Sequence, residues 1–165
     1  MIPNALSITL GDELLAHHKT LAFAESCSGG LASSLVTDVA GSSAYLLGSA
    51  VTYTNEGKRK LLGVEQATLD VYGAVSEQTA LQMAQGVRKL FGSDYGVGIT
   101  GNAGPGGSEG KPVGLVYIAI ATENDVYCEE LTFTADRIEN KLRIALKAIS
   151  MVIDKLRVKK MEENT

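Results

Sequence analysis

At residues 20–30 the sequence reads Thr20-Leu21-Ala22-Phe23-Ala24-Glu25-Ser26-Cys27-Ser28-Gly29-Gly30. The apolar run that ends at Ala24 is typical of a short buried strand, and apolar residues between Leu31 and Val39 repeat at helical spacing up to Gly41. A strand that turns directly into a helix is a building block of α/β proteins. The stretch therefore indicates an α/β fold, with a serine-containing turn at one end of the sheet.

Helices and strands continue to alternate along the rest of the chain. Helices are predicted over residues 5–18, after a capping Asn55, over residues 76–90 and over residues 136–158, and strands over residues 49–54, 95–100, 113–121 and 126–133. The last two strands flank a hairpin signal, so the sheet should be mixed. We therefore predict one domain, residues 1–165, folded as a three-layer α/β/α sandwich.

Three details of these elements are also predicted. The glycines of the strand at residues 95–100 indicate a close approach of another backbone. The buried stripe of the last helix should begin at Ile138 and Leu142 and continue to Leu156. Residues 159–165 should form a charged, frayed tail.

The composition excludes several classes of protein. The chain has 165 residues, 45% hydrophobic and 21% charged, which is ordinary globular usage and not that of a disordered or fibrous protein. We expect a cytoplasmic protein, because no membrane span or secretory signal is recognisable. A net charge of −4 and the absence of Trp give no support to nucleic-acid binding. Cys27 and Cys128 are too few for a disulfide framework or a four-ligand zinc site.

The turn at Ser26 is the first candidate for chemistry. A serine at the end of a strand is exposed at the sheet edge, and the free N–H groups of the following helix can bind an anion or stabilise an oxyanion. Cys27 is a rival nucleophile, since a thiolate is intrinsically more reactive. In the alternative interpretation Ser26 or Ser28 only caps the helix.

A second candidate stretch is Tyr53-Thr54-Asn55-Glu56-Gly57-Lys58. A serine nucleophile needs a base, and His17 and His18 lie at the end of the first predicted helix, away from the turn. A buried lysine with a lowered pKa can serve instead, which makes Lys58 the candidate. The alternative is a solvated lysine beside other basic residues.

The third candidate is the glycine-rich segment from Gly101 to Gly114. Its density of Gly and Pro fixes an irregular path whose N–H groups can hold a phosphate. It matches neither the Walker loop nor the dinucleotide-binding pattern. Although a purely structural loop is the alternative, a tract of this length favours a functional role.

Several stretches, taken in chain order, resemble the nicotinamide-nucleotide amidase family, also known as the C-terminal domain of the competence/damage-inducible protein CinA. They are residues 24–30, residues 41–43, residues 51–56 with Lys58, residues 73–77, residues 101–107 and residues 111–114. In longer members the domain follows a nucleotide-processing domain, and the resemblance implies the stand-alone form here. It also implies a homodimer or higher oligomer.

The resemblance implies an enzyme that hydrolyses the carboxamide of nicotinamide mononucleotide to nicotinate mononucleotide and ammonia, for pyridine-nucleotide salvage. The implied catalytic residues are Ser26, Lys58, Tyr53 and Thr100. Substrate contacts are expected from Ser28, Gly29, Gly30, Asn55, Gly101, Gly104 and Arg137. No metal or organic cofactor is expected, because a serine–lysine mechanism needs no Lewis acid.

Two departures from the family pattern fall where a substrate phosphate is expected. The loop Gly104-Pro105-Gly106-Gly107 is one residue shorter than usual, and Lys141 stands where the family favours arginine. Lysine keeps the charge but lacks the bidentate fork of arginine. The alternative function is a paralogue that binds a nucleotide or a protein partner without turnover.

Overall fold

The computed structural model describes residues 2–165, which contain six α-helices and five strands. The helices are α1 (Ala5–Ala16), α2 (Leu31–Thr37), α3 (Asn55–Leu62), α4 (Gln66–Tyr72), α5 (Glu77–Phe91) and α6 (Arg137–Glu163). The strands are β1 (Leu21–Glu25), β2 (Leu46–Val51), β3 (Tyr95–Gly101), β4 (Leu115–Ala121) and β5 (Val126–Thr132).

The five strands form one sheet in the order β2-β1-β3-β4-β5, and this sheet is mixed, as predicted. β1 runs parallel to both of its neighbours, β2 and β3, whereas β4 runs antiparallel to both of its neighbours, β3 and β5. Glu25 at the end of β1 is paired with Val51 of β2 and with Ile99 of β3. The carboxyl ends of three strands therefore meet at one edge, where ligands bind in open α/β sheets.

Helices cover both faces of the sheet, which confirms the predicted sandwich. On one face, α1, α2 and α6 bury large side chains such as Phe23, Val97 and Ile118. On the other face, α3, α4 and α5 pack over small residues such as Ala22 and Ala24.

Glycines bring α5 unusually close to the sheet. A Cβ added to Gly98 would collide with the carbonyl oxygen of Ala80 in α5, and one added to Gly96 with that of Ala84. Only a residue without a side chain allows this approach. The prediction of close backbone contact at β3 is thus confirmed, and α5 is fixed against β3 by backbone-to-backbone contact.

Two elements in the first half of the chain differ from the prediction. β2 covers residues 46–51 and not 49–54, because its partner β1 ends at Glu25 and leaves Tyr53 nothing to pair with. α3 is capped by Thr54, whose hydroxyl accepts a hydrogen bond from the N–H of Gly57, so Asn55 is the first helical residue and not the cap. α4 was not predicted.

The last helix differs at both ends. It continues to Glu163, because no Gly or Pro interrupts it and Lys159 pairs with Glu163 one turn later. The predicted frayed tail is therefore mostly helical. Ile138 is 82% exposed, and Leu142 is also exposed, because the first turns of α6 direct the fully buried Asn140 inward instead. Asn140 bonds the carbonyls of Ala103 and Ala135.

None of the helices within residues 2–165 has the length and apolar character needed to cross a membrane.

Candidate active site

The end of β1 places Ser26 beside the amine of Lys58. The N–H of Ser26 still bonds the carbonyl of Ile99 at 3.0 Å, so the sheet fixes the position of the serine backbone. Its Oγ lies 2.9 Å from Nζ of Lys58, which also donates to the carbonyl of Thr52 at 2.8 Å. Ser26 is 9% exposed and Lys58 only 1%. Two residues that are 32 positions apart in sequence thus form a buried pair within hydrogen-bond distance.

The start of α3 directs Lys58 inward. Because Thr54 caps the helix, the fourth helical residue faces the sheet edge, whereas the next two, Arg59 and Lys60, are exposed. Lys60 pairs on the surface with Glu56 at 2.7 Å. The interpretation of Lys58 as one more solvated lysine is therefore wrong.

Burial lowers the pKa of Lys58 below its ordinary value. Desolvation is the largest cause, because a charged ammonium loses its hydration shell in this position. The negative charges of Glu109, and of Cys27 when it is ionised, act in the opposite direction and are smaller effects. Burial increases the fraction of neutral amine, which is the form that can accept the proton of Ser26.

Cys27 is placed differently from its neighbour Ser26. It belongs to the apolar core formed with α1, α2 and α6. Burial raises the pKa of its thiol to about 12, so the thiolate is scarce near neutral pH. These surroundings favour Ser26 over Cys27 as the nucleophile.

The carboxylate of Glu25 holds the turn between β1 and α2. It is fully buried and accepts hydrogen bonds from the N–H groups of Ala32 and Ser33 at 2.8 and 3.1 Å. Hydroxyls of Ser28, Ser33 and Ser49 donate to the same carboxylate at 2.8, 2.7 and 3.2 Å. Five donors thus compensate for burying its charge.

This contact corrects the expectation that the start of α2 supplies oxyanion donors. The N–H groups of Ala32 and Ser33 are already bound by Glu25. The N–H of Gly29 donates to the carbonyl of Ser26. Within residues 2–165, the N–H groups of Cys27 and Ser28 donate to no backbone carbonyl, and of these two residues Cys27 lines the cavity beside Ser26.

Ser28, Gly29 and Gly30 build the turn and lie outside the cavity at Ser26. Ser28 is fully buried against Glu25. Gly29 and Gly30 have φ values of 63° and 96°, in the left-handed region that favours glycine. The amine of Lys141 lies 3.5 Å from the point where a Cβ of Gly29 would stand.

A cavity of about 250 Å³ opens beside Ser26 and Lys58. Six other residues with predicted roles line it, namely Tyr53, Asn55, Thr100, Gly101, Gly104 and Arg137. The remaining wall consists of Cys27, Ala74, Val75, Asn102, Ala103, Gly106, Ser108 and Glu109. We call this space the active-site cavity.

Tyr53 and Arg137 form the rim of the active-site cavity. Tyr53 is 62% exposed, and its hydroxyl accepts a hydrogen bond from Arg137 at 2.8 Å. Arg137 also donates to the carbonyl of Gly104, which ties α6 to the glycine-rich segment. Tyr53 makes no hydrogen bond to Ser26 or Lys58 among the residues described.

Thr100 lies at the end of β3 and is 1% exposed. Its hydroxyl donates to the carbonyl of Ala74 at 2.7 Å and not to Ser26 or Lys58. In this structure Thr100 fixes the segment before α5 that forms one wall of the cavity.

Residues 101–114, which we call the glycine loop, are organised by Asn102. Its amide donates to the carbonyls of Lys111 and Pro112, and its carbonyl oxygen accepts from Ser108 at 2.6 Å. Gly104 has a φ of 100° and precedes a cis peptide bond to Pro105. Several loop residues that line the cavity, including Gly106, have N–H groups that donate to no backbone carbonyl within residues 2–165.

Glu109 and Lys111 join the glycine loop to the opposite wall, and no individual role was predicted for either from the sequence. The carboxylate of Glu109 accepts from the N–H groups of Ala74 at 2.8 Å and Val75 at 3.1 Å. The amine of Lys111 donates to the carbonyls of Tyr72 and Val75. Glu25 was missed as well, although a charged residue at the end of an otherwise apolar strand was a usable signal.

Metal ligands do not cluster in the part of the chain that the structure describes. Among residues 2–165 no three His, Cys, Asp or Glu side chains are grouped so as to hold an ion.

Comparison with known proteins identifies relatives over most of the chain. The model of the CinA C-terminal domain family matches residues 4–156. A CinA-like protein of Endomicrobium trichonymphae is 45% identical over 154 residues, which are 93% of this chain and 36% of that protein. A CinA-like protein of Desulfovibrio desulfuricans is 49% identical over 129 residues, 78% of this chain and 30% of that protein. The chain thus spans about a third of the length of these curated relatives.

Solved structures agree in fold. The competence/damage inducible protein CihA from Agrobacterium tumefaciens superposes with a TM-score of 0.88 at 39% identity, covering 95% of this chain and 98% of that one. A CinA superfamily protein from Klebsiella pneumoniae gives a TM-score of 0.90 at 32% identity, covering 92% and 96%. The family match and the shared architecture together show that the chain belongs to the CinA C-terminal domain family.

Proposed function

We propose that residues 1–165 form one amidase domain that hydrolyses the carboxamide of nicotinamide mononucleotide to nicotinate mononucleotide and ammonia. The observation that supports this most directly is the buried pair of Ser26 Oγ and Lys58 Nζ, 2.9 Å apart on the wall of a cavity. A hydroxyl beside an amine of lowered pKa is an activated nucleophile with its base. The choice of substrate comes from the resemblance to the amidase family.

The first half of the reaction transfers an acyl group to the serine. Neutral Lys58 takes the proton of Ser26 as Oγ attacks the carboxamide carbon. The N–H group of Cys27, which lines the cavity, stabilises the oxyanion of the tetrahedral intermediate. Lys58 then gives the proton to the departing nitrogen, so that ammonia leaves and an ester remains on Ser26.

The second half hydrolyses that ester. A water molecule attacks the ester carbon through its oxygen, and Lys58 accepts one of the water protons in the same step. When the intermediate breaks down, Lys58 returns the proton to the oxygen of Ser26. The product forms as a carboxylic acid, which loses its remaining proton to the solvent and leaves as a carboxylate, and the pair is restored for the next turnover.

Substrate binding is assigned to the rim and to the glycine loop. Arg137 and Lys141 supply positive charge for the phosphate, and free N–H groups near Gly104 and Gly106 add hydrogen bonds. Tyr53 orients the substrate at the rim, next to Asn55. Gly101 and Thr100 shape the wall, whereas Ser28, Gly29 and Gly30 act by holding the turn at Ser26.

An assay of ammonia release from nicotinamide mononucleotide tests the proposal. We expect release by the wild-type protein and none by Ser26→Ala. Binding of the nucleotide without release would favour the alternative, a nucleotide-binding paralogue. We also propose that the protein forms homodimers or higher oligomers, which light scattering measures.

A further inference from the structure

Glu109 is the one carboxylate that lines the active-site cavity among residues 2–165. The other polar side chains on the wall are either uncharged or basic, as with Arg137 at the rim. A cavity suited to an anionic nucleotide has no evident need of a negative charge. We therefore looked for a positively charged group on the ligand that this carboxylate could bind.

The structure holds this carboxylate in a fixed place. Its two oxygens accept separate hydrogen bonds from the N–H groups of Ala74 and Val75, and Lys111 lies 3.5 Å from one of them. A Cβ at Gly73 would collide with the carboxylate, so the glycine leaves room for it. Partial burial raises the pKa of Glu109, but these hydrogen bonds and the charge of Lys111 lower it by more. The pKa of Glu109 therefore lies below its ordinary value. The group is ionised at neutral pH.

The carboxylate keeps spare capacity on the cavity side. An ionised carboxylate has about four acceptor positions, and the two amides together with the amine of Lys111 use three of them. The side chain of Glu109 is 31% exposed and lines the cavity. It does not bond Lys58, whose amine is occupied by Ser26 and Thr52. A ligand group in the cavity can therefore reach the negative charge.

We infer that Glu109 is a specificity-determining residue that recognises the positive charge of an oxidised pyridinium ring. This rests on the proposed function, in which the ring is attached to the carboxamide that reacts at Ser26. The pyridinium carries a full positive charge, whereas the reduced dihydropyridine ring is neutral. The ribose hydroxyls of the nucleotide are the other groups that could pair with a carboxylate. A hydrogen bond to a hydroxyl requires close alignment, whereas a charge interaction with the ring does not.

Binding measurements in a Ser26→Ala background test the inference, since that variant cannot turn the ligand over. Nicotinamide mononucleotide and its reduced dihydro form are titrated by calorimetry against proteins with and without Glu109→Gln. We expect the glutamine variant to lose about tenfold in affinity for the oxidised form, or about 1.4 kcal/mol, and to lose little for the reduced form. Glu109→Asp, which keeps the charge, should retain most of the preference.

The ratio of the two affinities separates recognition of charge from structural damage. A displaced glycine loop weakens both forms alike, so an equal loss in Glu109→Gln overturns the inference, as does no loss. Glu56→Gln is the matched control, because it removes a carboxylate that is 68% exposed and lies outside the cavity, and it should leave both affinities unchanged. If neither form binds any of these proteins, the proposed function fails, and this inference fails with it. Binding of both forms with an unchanged ratio refutes only the role of Glu109.

Discussion

Replacing Lys58 by arginine tests the proposed base most sharply. Arginine keeps the positive charge, but its pKa above 12 prevents it from giving up a proton near neutral pH. General bases contribute roughly 10²–10⁴ to enzyme rates. We therefore expect kcat/KM of Lys58→Arg to fall by at least about a hundredfold, and that of Lys58→Met to fall similarly. Lys60→Arg makes the same exchange at an exposed position and should retain the wild-type rate.

The size of the effect follows from the environment of the amine. An ordinary lysine with a pKa of about 10.4 is neutral in only about one molecule in 2,500 at pH 7. Because Lys58 is 1% exposed, burial lowers the pKa of its amine and enlarges the neutral fraction. We expect kcat/KM of the wild type to rise with pH along a limb that lies below pH 10.4.

The same pKa shift affects stability. Between the lowered pKa of native Lys58 and its unfolded value, the unfolded chain binds more protons than the native one. The free energy of unfolding must therefore rise with pH in this window. Lys58→Met lacks the titrating group, so its free energy of unfolding should rise less. Urea unfolding of both proteins at several pH values measures the difference.

Two results would refute this reasoning. If Lys58→Arg keeps most of the wild-type kcat/KM, Lys58 is an electrostatic anchor and the base lies elsewhere. If the activity limb lies at the pH of an ordinary lysine, burial does not tune the amine. Circular dichroism of each variant checks that lost activity does not reflect unfolding.

Further predictions concern the nucleophile, the cofactor, packing and the buried carboxylate. Ser26→Ala should abolish ammonia release while Cys27→Ala keeps most of it; equal loss in two folded proteins would reverse the assignment. Chelator treatment should leave activity unchanged, and a loss restored by one divalent ion would contradict a metal-free mechanism. Gly98→Ala should lower the free energy of unfolding by about 1–3 kcal/mol, because its methyl group meets a main-chain carbonyl of α5, whereas Gly106→Ala, where space is open, should not. Glu25→Gln should cost about 2 kcal/mol or more in urea unfolding, because its amide NH₂ would face N–H donors; an unchanged midpoint would contradict this.

Local patterns predicted the order and type of most elements. Apolar periodicity, β-rich runs and glycine positions are properties of neighbouring residues, so they located β1, α5 and the close contact at Gly98. The extent of β2 depends on where its partner strand ends, and the sequence of β2 alone does not contain that information. The exposure of Ile138 likewise depends on Asn140 reaching Ala103 and Ala135. Tertiary contacts decided these cases.

The candidate site shows the same division. Ser26 and Lys58 were predicted as partners from chemistry, because a serine without a nearby histidine needs another base. Glu109 escaped notice because its role depends on two backbone amides 35 and 34 residues away. Thr100 was assigned by resemblance, and its contact with Ala74 is visible only in the fold.

The glycines under α5 make the two faces of the sheet unequal in their capacity to evolve. On the face covered by α1, α2 and α6, side chains pack against side chains. A larger residue at one position can be compensated there by a smaller residue at a neighbouring position. At Gly96 and Gly98 the opposing atoms are main-chain carbonyl oxygens, so no side-chain substitution in α5 can make room for a larger residue. Drift in core composition is therefore expected to accumulate mainly on the face covered by α1, α2 and α6. β3, whose last residues adjoin the reacting groups, keeps a constant distance from α5 while the other half of the core changes.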